Sequence, residues 1–166
     1  VDWLTPFNSG PLGFVAAPIP SNENYSVPIP NWTAPQKPAN AWRTANGVKT
    51  VNDPCPGGYR VPTETEWLGV LSNNSASKTG PFLGGRTEYG SAQHYGPNAS
   101  TKTLTLPAVG YAGANASYGQ RGYAGYYWSS TQASNLSRVF IFHATSSGYM
   151  TNFGLTSAAA VRCIAE

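Results

Sequence analysis

From Thr101 onward the chain is written in short apolar runs separated by Gly, Ser and Asn, which is the signature of strands rather than helices. In TLTLPAVGY, Leu104 and Leu106 alternate with Thr103 and Thr105, a period-two pattern. YAGYYWSST is aromatic-rich, and Arg138–His143, reading RVFIFH, is the strongest strand in the sequence. Ala158–Ile164 predicts a final strand containing Cys163. One good helix precedes these strands. After Pro62, Thr63 can act as N-cap and Glu66 can return the bond in a capping box, with Glu64 and Glu66 suiting the positive end of the helix dipole. Trp67, Val70 and Leu71 then share a face, and Asn73 and Asn74 end the helix. A weaker helix is predicted at Tyr89–His94. One helix followed by a run of short strands predicts an α+β fold with a mostly antiparallel sheet and long irregular loops.

Residues 1–50 follow neither period. GPLGFVAAPIP, VPIPNW and APQKPANAW place a proline every few residues, which forbids a regular helix. Trp3, Phe7, Phe14, Tyr25, Trp32 and Trp42 are spread through this stretch. They predict an extended segment pinned by its rings onto the body of a single domain spanning 1–166, the alternative being a flexible linker that would waste six large aromatics.

Composition narrows the class. Charged residues make up 10% of the 166, while aromatics reach 13% and Gly and Pro number 18 and 14. Such a chain packs through rings and turns and has the character of an ordered extracellular domain. Its net charge of +3 comes from scattered Lys and Arg, so a nucleic-acid partner is not expected. No apolar run reaches the length of a membrane span. The two cysteines, Cys55 and Cys163, lie far apart in the chain. They are either a bridge or two buried thiols, and this composition favours the bridge and an oxidising compartment.

Candidate chemistry is sparse. His94 and His143 fall in no zinc-ligand spacing, and no metal or cofactor is expected. With Glu64 and Glu66 given to the helix start, the candidates for a carboxylate pair are Asp2, Glu23, Asp53 and Glu88, which are scattered, and Ser129 and Ser130 belong to a strand or turn. The expectation is a protein that is not an enzyme. Tyr111, Tyr118, Tyr123, Tyr126, Tyr127, Trp128 and Tyr149 could stack on sugar faces, although Trp128 and at least one neighbouring Tyr are expected in the core.

Five motifs occur together and in order: DPCPGGYRVPTETEW, KTLTLPAVGY, GYYWSST, RVFIFH and AVRCIAE. With them, the chain from Trp32 to its end resembles the Fibrobacter succinogenes major paralogous domain, a family abundant in secreted and surface proteins of Bacteroidetes and relatives. It is more distantly similar to the C-terminal domains of collagen-like proteins, to formylglycine-generating-enzyme-like domains and to the variable proteins of diversity-generating retroelements. The resemblance implies a C-type-lectin-like fold, a small twisted sheet with one or two helices, and a disulfide joining Cys55 to Cys163. That pairing leaves no reactive cysteine for formylglycine chemistry. The calcium-binding EPN, QPD and WND signatures of C-type lectins are absent. Arg60 and Arg162 are expected to bond loop carbonyls.

In the retroelement-diversified relatives, the stretch equivalent to Gln132–Thr156 displays variable side chains. Here Asn135, Ser137, Arg138, His143, Tyr149, Asn152 and Phe153 suit such an adaptable binding face, and an ordinary hairpin is the alternative. The expected function is therefore a secreted or cell-surface recognition and adhesion domain whose ligand is a glycan or a surface protein. The alternatives are a self-assembling structural or filament subunit and a retroelement-diversified protein-binding domain.

Overall fold

The structure is a computed structural model and describes residues 42–84, 90–113, 118–133, 136–154 and 157–166. The ring-pinned segment expected at 1–50 lies outside these residues up to position 41. Its last aromatic, Trp42, meets Trp128 edge to face at 6.2 Å.

The elements in order are β1 (Tyr59–Arg60), α1 (Glu64–Asn73), β2 (Ser75–Thr79), β3 (Ala92–Gly96), β4 (Leu104–Pro107), β5 (Tyr111–Ala112), β6 (Tyr118–Gly119), β7 (Ala124–Ala133), β8 (Leu136–His143), β9 (Ser146–Phe153) and β10 (Ile164–Ala165). They form four antiparallel sheets, ordered β1-β10, β2-β3-β4, β5-β6 and β7-β8-β9. This is the α+β architecture that the pattern predicts, with α1 the one helix among the described residues.

Helix α1 starts as its capping box dictates. Thr63 is extended, its Oγ1 accepts from the Glu66 N–H at 3.3 Å, and its own N–H donates to Glu66 Oε2 at 2.8 Å. Trp67, buried, then donates its indole N–H to the Trp128 carbonyl at 3.2 Å and stacks on Phe140 with ring centres 4.7 Å apart. The helix is thereby bolted to the sheet β7-β8-β9.

That sheet buries both faces, as the near-continuous apolar run of β8 requires. Phe140, Phe142 and Tyr127 join Trp67, Tyr95, Leu106 and Phe82 on the helix side. Val139, Ile141, Tyr126 and Trp128 pack on the other side with Cys55, Val61 and Ala124. Gly125 sits opposite Phe142, and a Cβ there would come within 2.2 Å of the ring, so the ring covers a site that only glycine can occupy. A register shift between Trp128 and Gln132 lets Ser130 leave the ladder and donate its N–H to the Pro62 carbonyl at 2.8 Å, tying β7 to the entrance of α1.

Cys55 and Cys163 are bridged across 108 positions with Cα atoms 5.8 Å apart, beside the β1-β10 pair. The loop carrying Cys55 is held from two sides. The Asp53 carboxylate accepts from the N–H groups of Cys55 at 2.8 Å and Val61 at 3.0 Å. The Lys49 ammonium donates to the carbonyls of Cys55 at 2.6 Å, Pro56 at 2.8 Å and Tyr59, filling its three donors with backbone.

Two expected elements take another form. Tyr89–His94, read as a weak helix, contributes instead to strand β3, and Tyr89 itself lies outside the described residues. Gln93 and His94 are buried there: the Gln93 amide N–H donates to the Ser77 carbonyl at 2.9 Å, and both His94 ring nitrogens meet threonine hydroxyls of the flanking strands, while Gln93 Oε1 is buried without a partner. The final strand is also shorter than Ala158–Ile164. Ala158 bridges to Ala112 and Ala160 to Tyr127 singly, and only Ile164–Ala165 pairs as a strand, with β1. The segment first follows the edge of β7 and then turns away, where Cys163 is bonded to Cys55.

Candidate ligand-binding face

The register of β8 and β9 sorts the residues singled out in the sequence. Ser137 pairs with Phe153, Arg138 with Asn152, Ile141 with Tyr149, and His143 with Ser146. Side chains alternate across a sheet, so Arg138 and Asn152 lie on the helix face, whereas Ser137, His143, Tyr149 and Phe153 lie on the opposite one. Asn135 falls outside the described residues. The Arg138 fork closes on Glu64, with Nε donating to Oε2 at 2.9 Å and Nη2 to Oε1, and its Nη1 donates to Asn152 Oδ1 at 2.8 Å. Both residues thus stitch β8 and β9 to the start of α1. Ser137 is 2% exposed and Phe153 packs against Trp128, Tyr126 and Tyr111 at 5.4–5.5 Å. His143 and Tyr149 remain at the accessible margin of this second face.

There they meet rings from the other tyrosine-bearing strands. Tyr123, immediately before β7, lies parallel to the His143 imidazole with centres 6.2 Å apart and 5° between planes. Tyr149 meets the same imidazole edge to face at 6.0 Å. Tyr126 and Tyr111 continue the patch inward at 4.8 Å from each other. Tyr123 is 40% and Tyr149 43% exposed, while Tyr126 is buried. The Tyr126 hydroxyl donates to Gln120 Oε1 at 2.7 Å, and Gln120 holds a left-handed backbone, φ 58°, in the turn that presents Tyr123. Burial, followed by the neighbouring Tyr111, Tyr149 and Tyr123 hydroxyls, pushes the Tyr126 hydroxyl up to about 12, so it stays a neutral donor. The His143 Nδ1 and the Thr145 hydroxyl share a bond of 3.2 Å. The rim is apolar. Gly84 approaches Tyr123, where a Cβ would stand 3.3 Å from its Cβ, and the adjacent Leu83 is 79% exposed.

This geometry presents flat ring faces beside hydroxyl and imidazole groups. Such faces are able to stack on an apolar surface, and such groups to hydrogen-bond at its edge. The tyrosines and the Gln132–Thr156 residues stand apart in the sequence, and the structure joins members of both groups. Ala124 opens β7 and pairs with His143, which closes β8, and the turn before β7 brings the Tyr123 ring over the imidazole, a placement that strand alternation alone does not predict. Of the remaining candidates, Tyr118 is 65% exposed on β6, and Tyr127 and Trp128 are core.

The titratable groups elsewhere are bound into the fold. His94 lies between the Thr79 and Thr105 hydroxyls at 2.8 and 2.9 Å, and burial, with Lys102 nearby, lowers its pKa. Arg60 bonds not loop carbonyls but both oxygens of Glu66, at 2.5 and 2.7 Å. That fork, helped by the Thr63 N–H and hydroxyl against the opposing effect of burial, holds Glu66 down at about 2. The carbonyl-binding role belongs to Lys49, and Arg162 makes no hydrogen bond among the described residues. Among those residues, no group of three or more His, Cys, Asp or Glu gathers to hold a metal ion, and no helix is long and apolar enough to cross a membrane.

The family model described as Fibrobacter succinogenes major domain matches residues 15–165. No curated protein and no solved structure matches the chain.

Proposed function

We propose, from the premise that the chain belongs to the Fibrobacter succinogenes major domain family, that it is a non-catalytic recognition domain binding neutral glycans without calcium. The observation that carries this reading is the Tyr123–His143–Tyr149 cluster, part-exposed rings held in place at the open margin of a buried sheet. Sugar rings present apolar C–H faces that stack on aromatics, and their hydroxyls pair with hydroxyl and imidazole groups of this kind. The non-catalytic part is supported by the commitments of three of the described carboxylates: Asp53 to loop amides, Glu64 to Arg138 and Glu66 to Arg60. The bridge is compatible with an oxidising compartment, and we place the protein outside the cell or on its surface. We read its architecture as C-type-lectin-like, on the grounds of a helix packed on an antiparallel sheet and a bridge from the segment before that helix to the residue preceding the chain's last strand.

A glycan array probed in calcium and again in EDTA tests the function. Equal binding in both, lost in Tyr149→Ala, is the expected result; binding in calcium alone, or none in either, would reject it. A protein ligand at the same face is the second reading, favoured by the exposed Leu83 and Tyr118, and would appear as array-negative binding to a surface protein that Tyr149→Ala abolishes.

A further inference from the structure

A second site lies away from the aromatic face. A cleft of about 300 Å³ opens between α1, β4 and the C-terminal segment, lined by Pro62, Trp67, Val70, Leu104, Ile164 and the bridged Cys163, with Glu66, Arg162 and Ala165 completing it. Its walls are apolar. The two charged groups in it are in opposite situations. Glu66 is satisfied by both arms of Arg60 and by Thr63. Arg162, exposed at the rim, has neither ion pair nor hydrogen bond among the described residues, leaving the five donors of its fork available. We propose that this cleft binds a small amphipathic carboxylate, with the anion on the Arg162 guanidinium and the apolar body against Trp67, Val70 and Leu104.

Size and charge both point to this class. The volume suits a chain or ring of roughly six to ten carbons, at the small end of ligand pockets. A guanidinium takes a carboxylate through two parallel bonds, whereas a neutral alcohol can use only part of the fork. The negative charge on Glu66 is paired with the Arg60 guanidinium, which offsets it at that edge of the cleft.

Sodium octanoate is the probe, with octan-1-ol and octylammonium chloride as matched neutral and cationic controls, each titrated into the full chain by calorimetry and followed by amide NMR. Octanoate is expected to bind at least tenfold tighter than either control and to shift signals of α1 and residues 162–165. Arg162→Gln is expected to weaken octanoate at least tenfold, leave octanol unchanged and keep the wild-type melting temperature, because Arg162 is exposed and unbonded. Undetectable octanoate binding, equal affinity for octanoate and octylammonium, insensitivity to Arg162→Gln, or shifts confined to the Tyr123–His143–Tyr149 face would each overturn the proposal. The inference does not rest on the glycan reading: Tyr149→Ala is expected to leave octanoate affinity unchanged.

Discussion

The two faces of the sheet β7-β8-β9 carry the same kind of side chain and have different fates. On one, Phe140, Phe142 and Tyr127 lie beneath Trp67, and the Arg138–Glu64–Asn152 network closes the margin. On the other, Trp128, Val139 and Ile141 are covered near the bridged Cys55, while the rings of Tyr123, His143 and Tyr149 stay part-exposed at the far end. The difference lies in the cover. A helix with its own cap lays a rigid lid along one face, and a cross-linked C-terminal segment covers only part of the other. Aromatic richness by itself therefore does not mark a binding surface. What sets the part-exposed rings apart is where the covering element stops.

The largest expected effect comes from lifting the helix lid. Trp67→Ala removes a stacked, buried indole and its bond to the Trp128 carbonyl, and is expected to cost about 4 kcal/mol. In a domain of this size that is a fall in melting temperature of roughly 8–16 °C, read by calorimetry. Removing the bridge with Cys163→Ala attacks the other face and is expected to cost about 3 kcal/mol, below the roughly 4–5 kcal/mol of the chain-entropy value for so long a loop. Near-UV dichroism separates the two lesions. The bridge variant is expected to retain the Trp67–Phe140 contribution, and its loss there would mean that the faces form one cooperative unit.

Much of the helix face was legible in the sequence, because its determinants are local. Thr63, Glu66 and the Trp67–Val70–Leu71 spacing lie within a few residues of each other. Strand β3 was hidden, since Gln93 and His94 are polar residues made burial-competent by partners on β2 and β4, such as Ser77 and Thr105, that no local window includes. The candidate site was legible in part for a similar reason. His143 and Tyr149 were visible as residue types, but their union with Tyr123 depends on the pairing of β7 with β8 and on the turn before β7. Arg138 and Asn152 resembled ligand contacts because sequence shows a guanidinium and an amide without showing the carboxylate of Glu64 that one of them is holding.

The cap at the start of α1 offers a smaller, pH-resolved perturbation of the helix face. Glu66 is held from its ordinary 4.5 down to about 2, first by the Arg60 fork. Because the folded form binds its proton more weakly, the stabilisation is complete above about pH 4.5 and is lost as pH falls towards 2. The full shift corresponds to roughly 3 kcal/mol, and solvent screening of this part-exposed pair reduces it to about 1–2 kcal/mol. Glu66→Gln is expected to be destabilised by that amount at pH 7 and to match the wild type near pH 2, as measured by urea titrations at the two pH values. A constant difference across that range would show that the carboxylate acts through packing rather than charge.

The open margin should respond in the opposite sense to both covers, with little effect on folding and a large one on recognition. Tyr149 is 43% exposed and its ring meets His143 only at an edge, so Tyr149→Ala is expected to cost less than about 1 kcal/mol. Glycan binding, measured by calorimetry with the best array ligand, is expected to fall at least tenfold. Tyr149→Phe sharpens the test by keeping the face and removing the hydroxyl. Affinity retained in Phe and lost in Ala assigns the contact to stacking, whereas equal loss in both assigns it to the hydrogen bond. A variant that lost stability instead of binding would place Tyr149 with the covered rings, and the distinction between the two faces would then have to be drawn further out, at Tyr123 and the apolar rim of Leu83.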